Sequence, residues 1–460
     1  MGPYMSPIPI NASMGMVISL AVAFVFTPWL YRRVFLKQAH AHGSDHGEPA
    51  EDWLHRLFRT RMTPFLEREQ GRRPRVRLLL TILALIVASM GLAGVKLVVL
   101  KMLPFDNKSE FQVVVDMPAG TPLERTAAAL REMGQFLARQ PEVTDYQAYA
   151  GTSAPINFNG LVRQYYLRSG PDVGDLQVNL TDKHLRSEQS HSIATRLRPE
   201  LQRIGARDGA NVKVVEVPPG PPVLSAIVAE IYGPDAEGRR EVARSVRDVF
   251  ERTTGVVDVD DTGIENAARK LLLVDRRKAA LLGVSQAAIV STLRAGLPGE
   301  ATVYVHDASK YPVPVTIQLP DERRGELDAL LQLSVRGSGG QLVAIRELVT
   351  VTDSLREQPV FHKDGLPVHY VLGDMAGAID SPLYGMFRMR EAIASIRTPG
   401  GGTLREYFIS SPPEAWRDYA IKWDGEWQIT YETFRDMGAA YAVGLVLIYL
   451  LVVAQFRSYS

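Results

Sequence analysis

The stretch Gly151–Val173 (GTSAPINFNGLVRQYYLRSGPDV) concentrates the residue types best suited to handling a ligand. Gly151, Gly160 and Gly170 free the backbone, while Phe158, Tyr165 and Tyr166 offer broad apolar faces beside the amide of Asn159. Apolar burial is non-directional, so an aromatic wall takes up varied hydrophobic molecules. The competing reading is that these aromatics simply pack a long loop onto its own subdomain.

Other chemistries have thinner support. Met117 and Met133 carry thioethers, which select soft cations such as Cu(I), but methionine is also common core filler. His184 and His191 stand seven residues apart, a weak ligand spacing. His40, His42 and His46 are close in sequence, yet lie in a polar stretch that reads as a linker. Asp258, Asp260 and Asp261 could attract a cation, although a solvated strand end explains them as well. There is no cysteine, no G-x-S-x-G, no H-E-x-x-H and no P-loop, so no catalytic, cofactor or metal site is assigned. No basic patch interleaved with aromatics stands out beyond residue 77, which argues against nucleic acid as a partner.

Three apolar runs frame these residues. Ile8–Leu30, Leu78–Leu100 and Gly438–Phe456 each match the roughly 20 helical residues that cross a bilayer core. Lys96 falls near the outer end of the second run, where it can snorkel. Tyr31–Arg77 holds eleven Lys and Arg against six Asp and Glu, whereas residues 101–460 hold 40 against 45. The short basic loop is therefore expected in the cytoplasm and the long segment on the opposite face. Within the basic loop, residues 51–69 place Trp53, Leu57, Phe58, Met62 and Phe65 on one helical stripe, as in a helix lying at a membrane surface. The first run lacks the basic flank and cleavage site of a secretory signal, and the last reaches almost to Ser460; the chain is expected to be part of a larger polytopic protein.

The segment between the second and third runs alternates strands and helices. Phe111–Met117, Val143–Ala150, Asp175–Leu180 and Asn211–Val217 read as strands; Leu123–Arg139 and His191–Ile204 read as helices. That order is β-α-β-β-α-β, the ferredoxin-like pattern. Pro218–Pro222 breaks the chain, and the pattern restarts with Ser225–Tyr232, Ala236–Arg252 and Val256–Asp261. It is completed much later by His369–Leu372, Leu383–Ile396 and Tyr419–Trp423. The intervening stretch exceeds any ordinary connection and reads as an inserted domain. The fold class is thus an α+β membrane protein with two ferredoxin-like units, the second carrying an insert. The expected boundaries are 1–30 transmembrane, 31–77 cytoplasmic, 78–100 transmembrane, 101–222 first unit, 223–269 with 355–436 second unit, 270–354 insert, and 437–460 transmembrane.

This layout resembles the second half of a resistance–nodulation–cell division (RND) efflux permease. Leu273–Ser285 (LVDRRKAALLGVS) is similar to the family's VDxxKAxxLGVS segment, Gly340–Ile345 (GQLVAI) to GxxVPL with Ala344 in place of proline, and Asp364–Pro367 (DGLP) to the return strand that follows the insert. The resemblance implies two porter subdomains, a docking insert, and membrane helices six to eight of the family. It implies an inner-membrane homotrimer that passes small amphipathic compounds through a periplasmic adaptor to an outer-membrane channel, with the large loop in the periplasm. It implies proton drive through an Asp pair on the family's fourth helix and a Lys on its tenth. It also implies that the Gly151–Val173 connection, with Phe158, Asn159, Tyr165 and Tyr166, gates the cleft between porter subdomains. The alternatives are a heavy-metal exporter of the same family and a membrane-anchored assembly or protein-export factor. The insert weighs against the last.

Overall fold

The computed structural model describes residues 7–39, 53–66, 72–94, 97, 106–217, 222–377, 381–410, 412 and 414–457. His40, His42, His46, Lys96 and Pro218–Pro221 lie outside them. Helix α1 (7–39) contains a π turn at Val22–Phe26 and carries an apolar span over Pro7–Arg33. Helix α2 (Trp53–Leu66) is the amphipathic segment, and α3 (Arg72–Gly94) carries a second span over Arg73–Leu92. Both long helices outrun their apolar cores, α1 past Leu30 and α3 by starting before Leu78. Helical hydrogen bonding does not stop where hydrophobicity does, and Arg stems reach water from the first turn.

The first α/β unit follows the expected order: β1 (Glu110–Asp116), α4 (Leu123–Leu137), β2 (Val143–Thr152), α5 (Phe158–Val162), β3 (Ser169–Leu180), α6 (Ser190–Ala206) and β4 (Asn211–Val215). Its sheet is ordered β2-β3-β1-β4, every pair antiparallel. Phe111, Val113 and Val115 point one way from β1 and form a core with Leu130, Met133, Leu137, Ile193, Leu197 and Leu201 of the two long helices. Gln112, Val114 and Asp116 fall on the other side by the two-residue repeat of a strand. That second face is where the loop lies. Strand β3 starts at Ser169, six residues before the expected Asp175, because Val173, Gly174 and Asp175 pair in register with β1. Gly174 offers no side-chain pattern to read, and a Cβ there would sit 2.8 Å from Leu130.

The second unit repeats the plan with β5 (Ile227–Tyr232), α7 (Ala236–Arg252) and β6 (Val256–Asp261), then the insert. The insert holds β7 (Ala268–Val274), α8 (Arg276–Leu281), α9 (Gln286–Gly296), β8 (Glu300–Val305), β9 (Val313–Ile317), α10 (Asp321–Arg324), α11 (Leu327–Gln332), β10 (Ser334–Arg336), β11 (Leu342–Ala344) and β12 (Val349–Leu355). β7 and β12 pair antiparallel as its two-stranded stem, and Val284, Ile289, Val335, Ile345 and Leu348 form its own small core. The chain resumes with β13 (Phe361–Lys363), β14 (Leu366–Met375), α12 (Pro382–Ala394), β15 (Arg405–Tyr407) and β16 (Ala420–Gly425). In this sheet β14 pairs with β5 and β6, and β5 with β16, which repeats the strand order of the first unit. Phe250 stacks on Trp423 in a core distinct from that of the first unit.

Helix α13 (Glu426–Phe456) leaves β16 directly through Gly425. It begins twelve residues before the expected Gly438. At 31 residues it is about 46 Å long, more than a bilayer core of about 30 Å requires. Its first turns pack on the second unit instead, where Trp427 meets Phe387 and Phe408 edge-on and donates from Nε1 to the Phe408 carbonyl at 2.7 Å.

Candidate functional site

The loop over the first sheet is more structured than its sequence suggests. Asn157 caps α5, its side chain accepting from the Gly160 amide at 2.7 Å and donating to Gln177 at 3.2 Å. Asp175, buried in β3, accepts from the Ala154 amide at 2.9 Å and from Gln112. The four expected gate residues divide. Phe158 and Tyr166 face outward at 46% and 43% exposure, alongside exposed Ile156, Leu161 and Leu167. Asn159 and Tyr165 are buried. Tyr165 sits against Val114 and Val215 on the second face of the sheet, with the Lys213 ammonium 5.7 Å from its ring centre. Tyr165 is therefore the loop's anchor, and Phe158 and Tyr166 are its exposed faces.

Between these stands Arg163, followed by Gln164 in a left-handed conformation at φ 61°. Its guanidinium crosses to the second unit and pairs with Asp374 at 2.9 Å, both side chains largely buried. Asp374 is held from its own side by the Ser225 hydroxyl at 2.7 Å and the Ala226 amide at 3.0 Å.

That ion pair belongs to a seam. Strand β4 is one edge of the first sheet, and β6 is an edge of the second. An open edge exposes unpaired backbone groups, and here side chains satisfy them. Asp258 accepts from the Val214 amide at 3.2 Å and pairs with Arg198 at 2.7 Å; Asn211 donates to the Val259 carbonyl at 3.2 Å. Lys213, 1% exposed, lies between Asp116, at 2.6 Å, and Asp260 of the second unit. Arg168 also pairs with Asp116 and donates to the Val115 carbonyl. Farther out, Arg356 reaches Asp172 at 3.1 Å, and Glu265 accepts from the Ala119 amide at 2.9 Å.

A bulge aims this seam. Opposite β14 the register shifts between Leu372 and Asp374, so that Asp258 and Val259 face a single residue, Gly373. Asp258 takes the left-handed conformation at φ 53°, which Asp tolerates better than most residues. Bulges re-aim side chains, and this one points a carboxylate at the first unit.

The electrostatics follow from burial and pairing. Burial pushes the Asp374 carboxyl up, but Arg163, Ser225 and Ala226 outweigh it and hold it below the ordinary range. Burial acts on Asp116 likewise and is overcome by Lys213 and Arg168. For Asp258 burial prevails over the pull of Arg198, and its carboxyl is raised. Four cations (Arg163, Arg168, Arg198, Lys213) thus meet four carboxylates (Asp116, Asp258, Asp260, Asp374). Separating an apolar seam costs about 25 cal/mol per Å². Charged groups that part into water instead regain hydration, which offsets the lost Coulomb attraction. A seam of this composition can open and close.

The remaining candidates fall elsewhere. Met117 and Met133 are enclosed in the first core. His191 pairs with Glu216 at 2.7 Å, and His184 is exposed. The Asp258–Asp261 run is not a solvated strand end, because Asp261 also has partners, Arg247 at 2.7 Å and His369 at 3.2 Å. The seam residues were missed in the sequence because each pair joins distant segments. Their one local trace is charge inside strand patterns: Lys213 within NVKVV and the alternating acids of VVDVDD.

Against known proteins, residues 2–460 match the sequence family described as AcrB/AcrD/AcrF. The fold is similar to the X-ray crystal structure of a heavy metal efflux pump, with TM-score 0.62 and 16% identity over 90% of this chain. The chain spans 40% of the length of that structure. A match over nearly every residue, together with paired α/β units slung between long apolar helices, places the chain in the AcrB/AcrD/AcrF family of RND permeases.

Proposed function

We propose that this chain is the substrate-handling and docking portion of a proton-driven RND efflux transporter of the bacterial inner membrane, acting as a homotrimer with a periplasmic adaptor and an outer-membrane channel. The two α/β units are then ferredoxin-like porter subdomains, 101–222 and 223–269 with 355–436, and 270–354 is the docking insert. The large segment lies in the periplasm. The observation that carries this reading is the seam: two units with separate apolar cores meet along edge strands through balanced charge. Such halves can hinge around a cleft without tearing a core.

The substrate is a small amphipathic compound. It meets Phe158 and Tyr166 on the outer face of the loop, while Asn159 and Tyr165 hold that face in place. The test deletes Ser153–Arg163 in the full-length gene and compares drug accumulation in cells lacking other pumps. Accumulation should rise to that of the pump-null strain; unchanged export would remove the loop from the mechanism. A heavy-metal substrate is the second reading, favoured by the likeness in fold to a heavy metal efflux pump. The enclosure of Met117 and Met133 in the first core favours the organic one.

A further inference from the structure

The loop is tied to the first unit through Ala154, Asn157, Tyr165 and Arg168, and its α5 turn is tied to the second unit through Arg163. Tyr165 is wedged against Val114 and Val215 of the first sheet, and two residues earlier Arg163 is tied to Asp374 on β14. Between them Gln164 is left-handed, a strained conformation for a residue that carries a Cβ. The turn ahead of Arg163 is stiff: the Leu161 amide bonds the Asn157 carbonyl at 3.1 Å and the Arg163 amide bonds the Asn159 carbonyl at 2.8 Å. A pull on the Arg163 side chain therefore moves α5 as a piece, with Gln164 as the pivot.

The partner end is equally fixed. Asp374 lies beside the β6 bulge, and its second oxygen is occupied by Ser225 and Ala226, so it moves with the second sheet. The buried Nε of Arg163 has no hydrogen-bond partner among the described residues. Asp172, beyond α5 in β3, also reaches Arg356 of the second unit, but the hold on α5 itself passes through the Nη1 contact of Arg163 to Asp374.

We infer that Arg163 is the positioning residue that couples the loop to the separation of the two units, through its pair with Asp374. With the pair made, α5 is held down across the seam. When the units part, the carboxylate is withdrawn, and the Gln164 turn can relax and swing α5 with its exposed Phe158 and Leu161. This rests on the reading of the loop as the substrate gate, which it supplies with a trigger.

The test uses the full-length protein in three forms: Arg163→Met, Asp374→Asn, and the conservative Arg163→Lys. Asp374→Asn keeps an oxygen for Ser225 and Ala226, so it probes the same link should Arg163→Met fold poorly. Two quantities are read without substrate: hydrogen exchange at the Gly160, Leu161 and Arg163 amides, and the distance between spin labels at Arg131 and Glu237, one on each unit. In Arg163→Met and Asp374→Asn exchange at those amides should rise at least tenfold while the label distance stays within its parent distribution, and Arg163→Lys, which keeps a cation for Asp374, should retain at least half of the protection they lose. Parent-like exchange in both Arg163→Met and Asp374→Asn, or an Arg163→Lys variant as loose as they are, overturns the coupling. Loosened α5 with undiminished drug export upholds the coupling and refutes the gate reading instead.

Discussion

The Asp258 carboxylate reaches Arg198 at 2.7 Å only because the Asp258 backbone is left-handed and the strand bulges there. One irregular residue thus supplies a central contact between two units that have separate cores. The carboxylate also accepts from the Val214 amide, so a single side chain meets the open edge of β4 and neutralises a buried guanidinium. Removing it leaves the Val214 amide without that acceptor and the Arg198 charge uncompensated, although Arg198 still donates to the Val214 carbonyl at 2.9 Å.

Asp258→Ala should therefore destabilise the protein by about 3–5 kcal/mol, the range for breaking one partner out of a buried ion pair. Asp258→Asn keeps an acceptor for Val214 and tolerates the left-handed backbone, so it should cost less than half as much. Denaturant unfolding of the purified protein, followed by tryptophan fluorescence, measures both. Equal losses would mean that the carboxylate charge carries the whole effect and that the hydrogen bond to the Val214 amide contributes nothing.

Gly425 joins the second sheet to the long apolar helix α13. Its φ of 76° lies in the left-handed half of the map, and a Cβ there would come within 2.7 Å of the Ser225 carbonyl and 2.8 Å of the Ala226 carbonyl. Gly425→Ala should displace the start of α13 from β5 and raise hydrogen exchange at the Glu426 amide, which bonds the Ala226 carbonyl at 3.1 Å. Unchanged protection at Glu426 would show that the junction has slack.

Much of this fold was legible in the sequence. Strand β1 reads from FQVVVD because its alternate residues face a core and a loop. Helices α4 and α6 read from apolar residues at helical spacing. The beginning of α13 did not, because Trp427, Tyr431 and Phe434 alternate with Glu432 and Arg435 and resemble soluble sequence; a helix that packs there on protein needs no uniform apolarity. The site was half legible. Aromatic residues advertised the loop, but which of them face outward depended on Val114 and Val215, from strands about a hundred residues apart. Arg163 was invisible for the same reason, since Asp374 follows the whole insert.

Acid should affect the seam in two stages. Asp258 is raised by burial, so the folded state binds its proton more tightly than the unfolded chain does. Its contribution improves as pH falls through its folded value toward the ordinary carboxylate value of about 4. Asp374 and Asp116 are held low by their cations. Their stabilisation is complete above that ordinary value and is lost only as pH falls through their own depressed values. Stability should be level or rising from neutral pH to about 4 and then fall steeply. Asp374→Asn should flatten the acid limb, as denaturation midpoints across that range would show.

Lys213 gives the most direct test of whether the seam is balanced. Its ammonium is enclosed between Asp116 and Asp260. Lys213→Met keeps the apolar stem over the Tyr165 ring and deletes the charge. At neutral pH it strands two carboxylates, one still served by Arg168, and should cost about 3–5 kcal/mol. Burial, which Lys213 and Arg168 together overcome in the parent, then pushes the Asp116 carboxyl up against Arg168 alone, which works against its depressed linkage. The variant should regain stability as pH falls from 7 toward 5 more steeply than the parent does. Parallel pH profiles for variant and parent would mean that water or a shifted arginine already screens these carboxylates, and that the balance of four cations against four acids does not hold the seam.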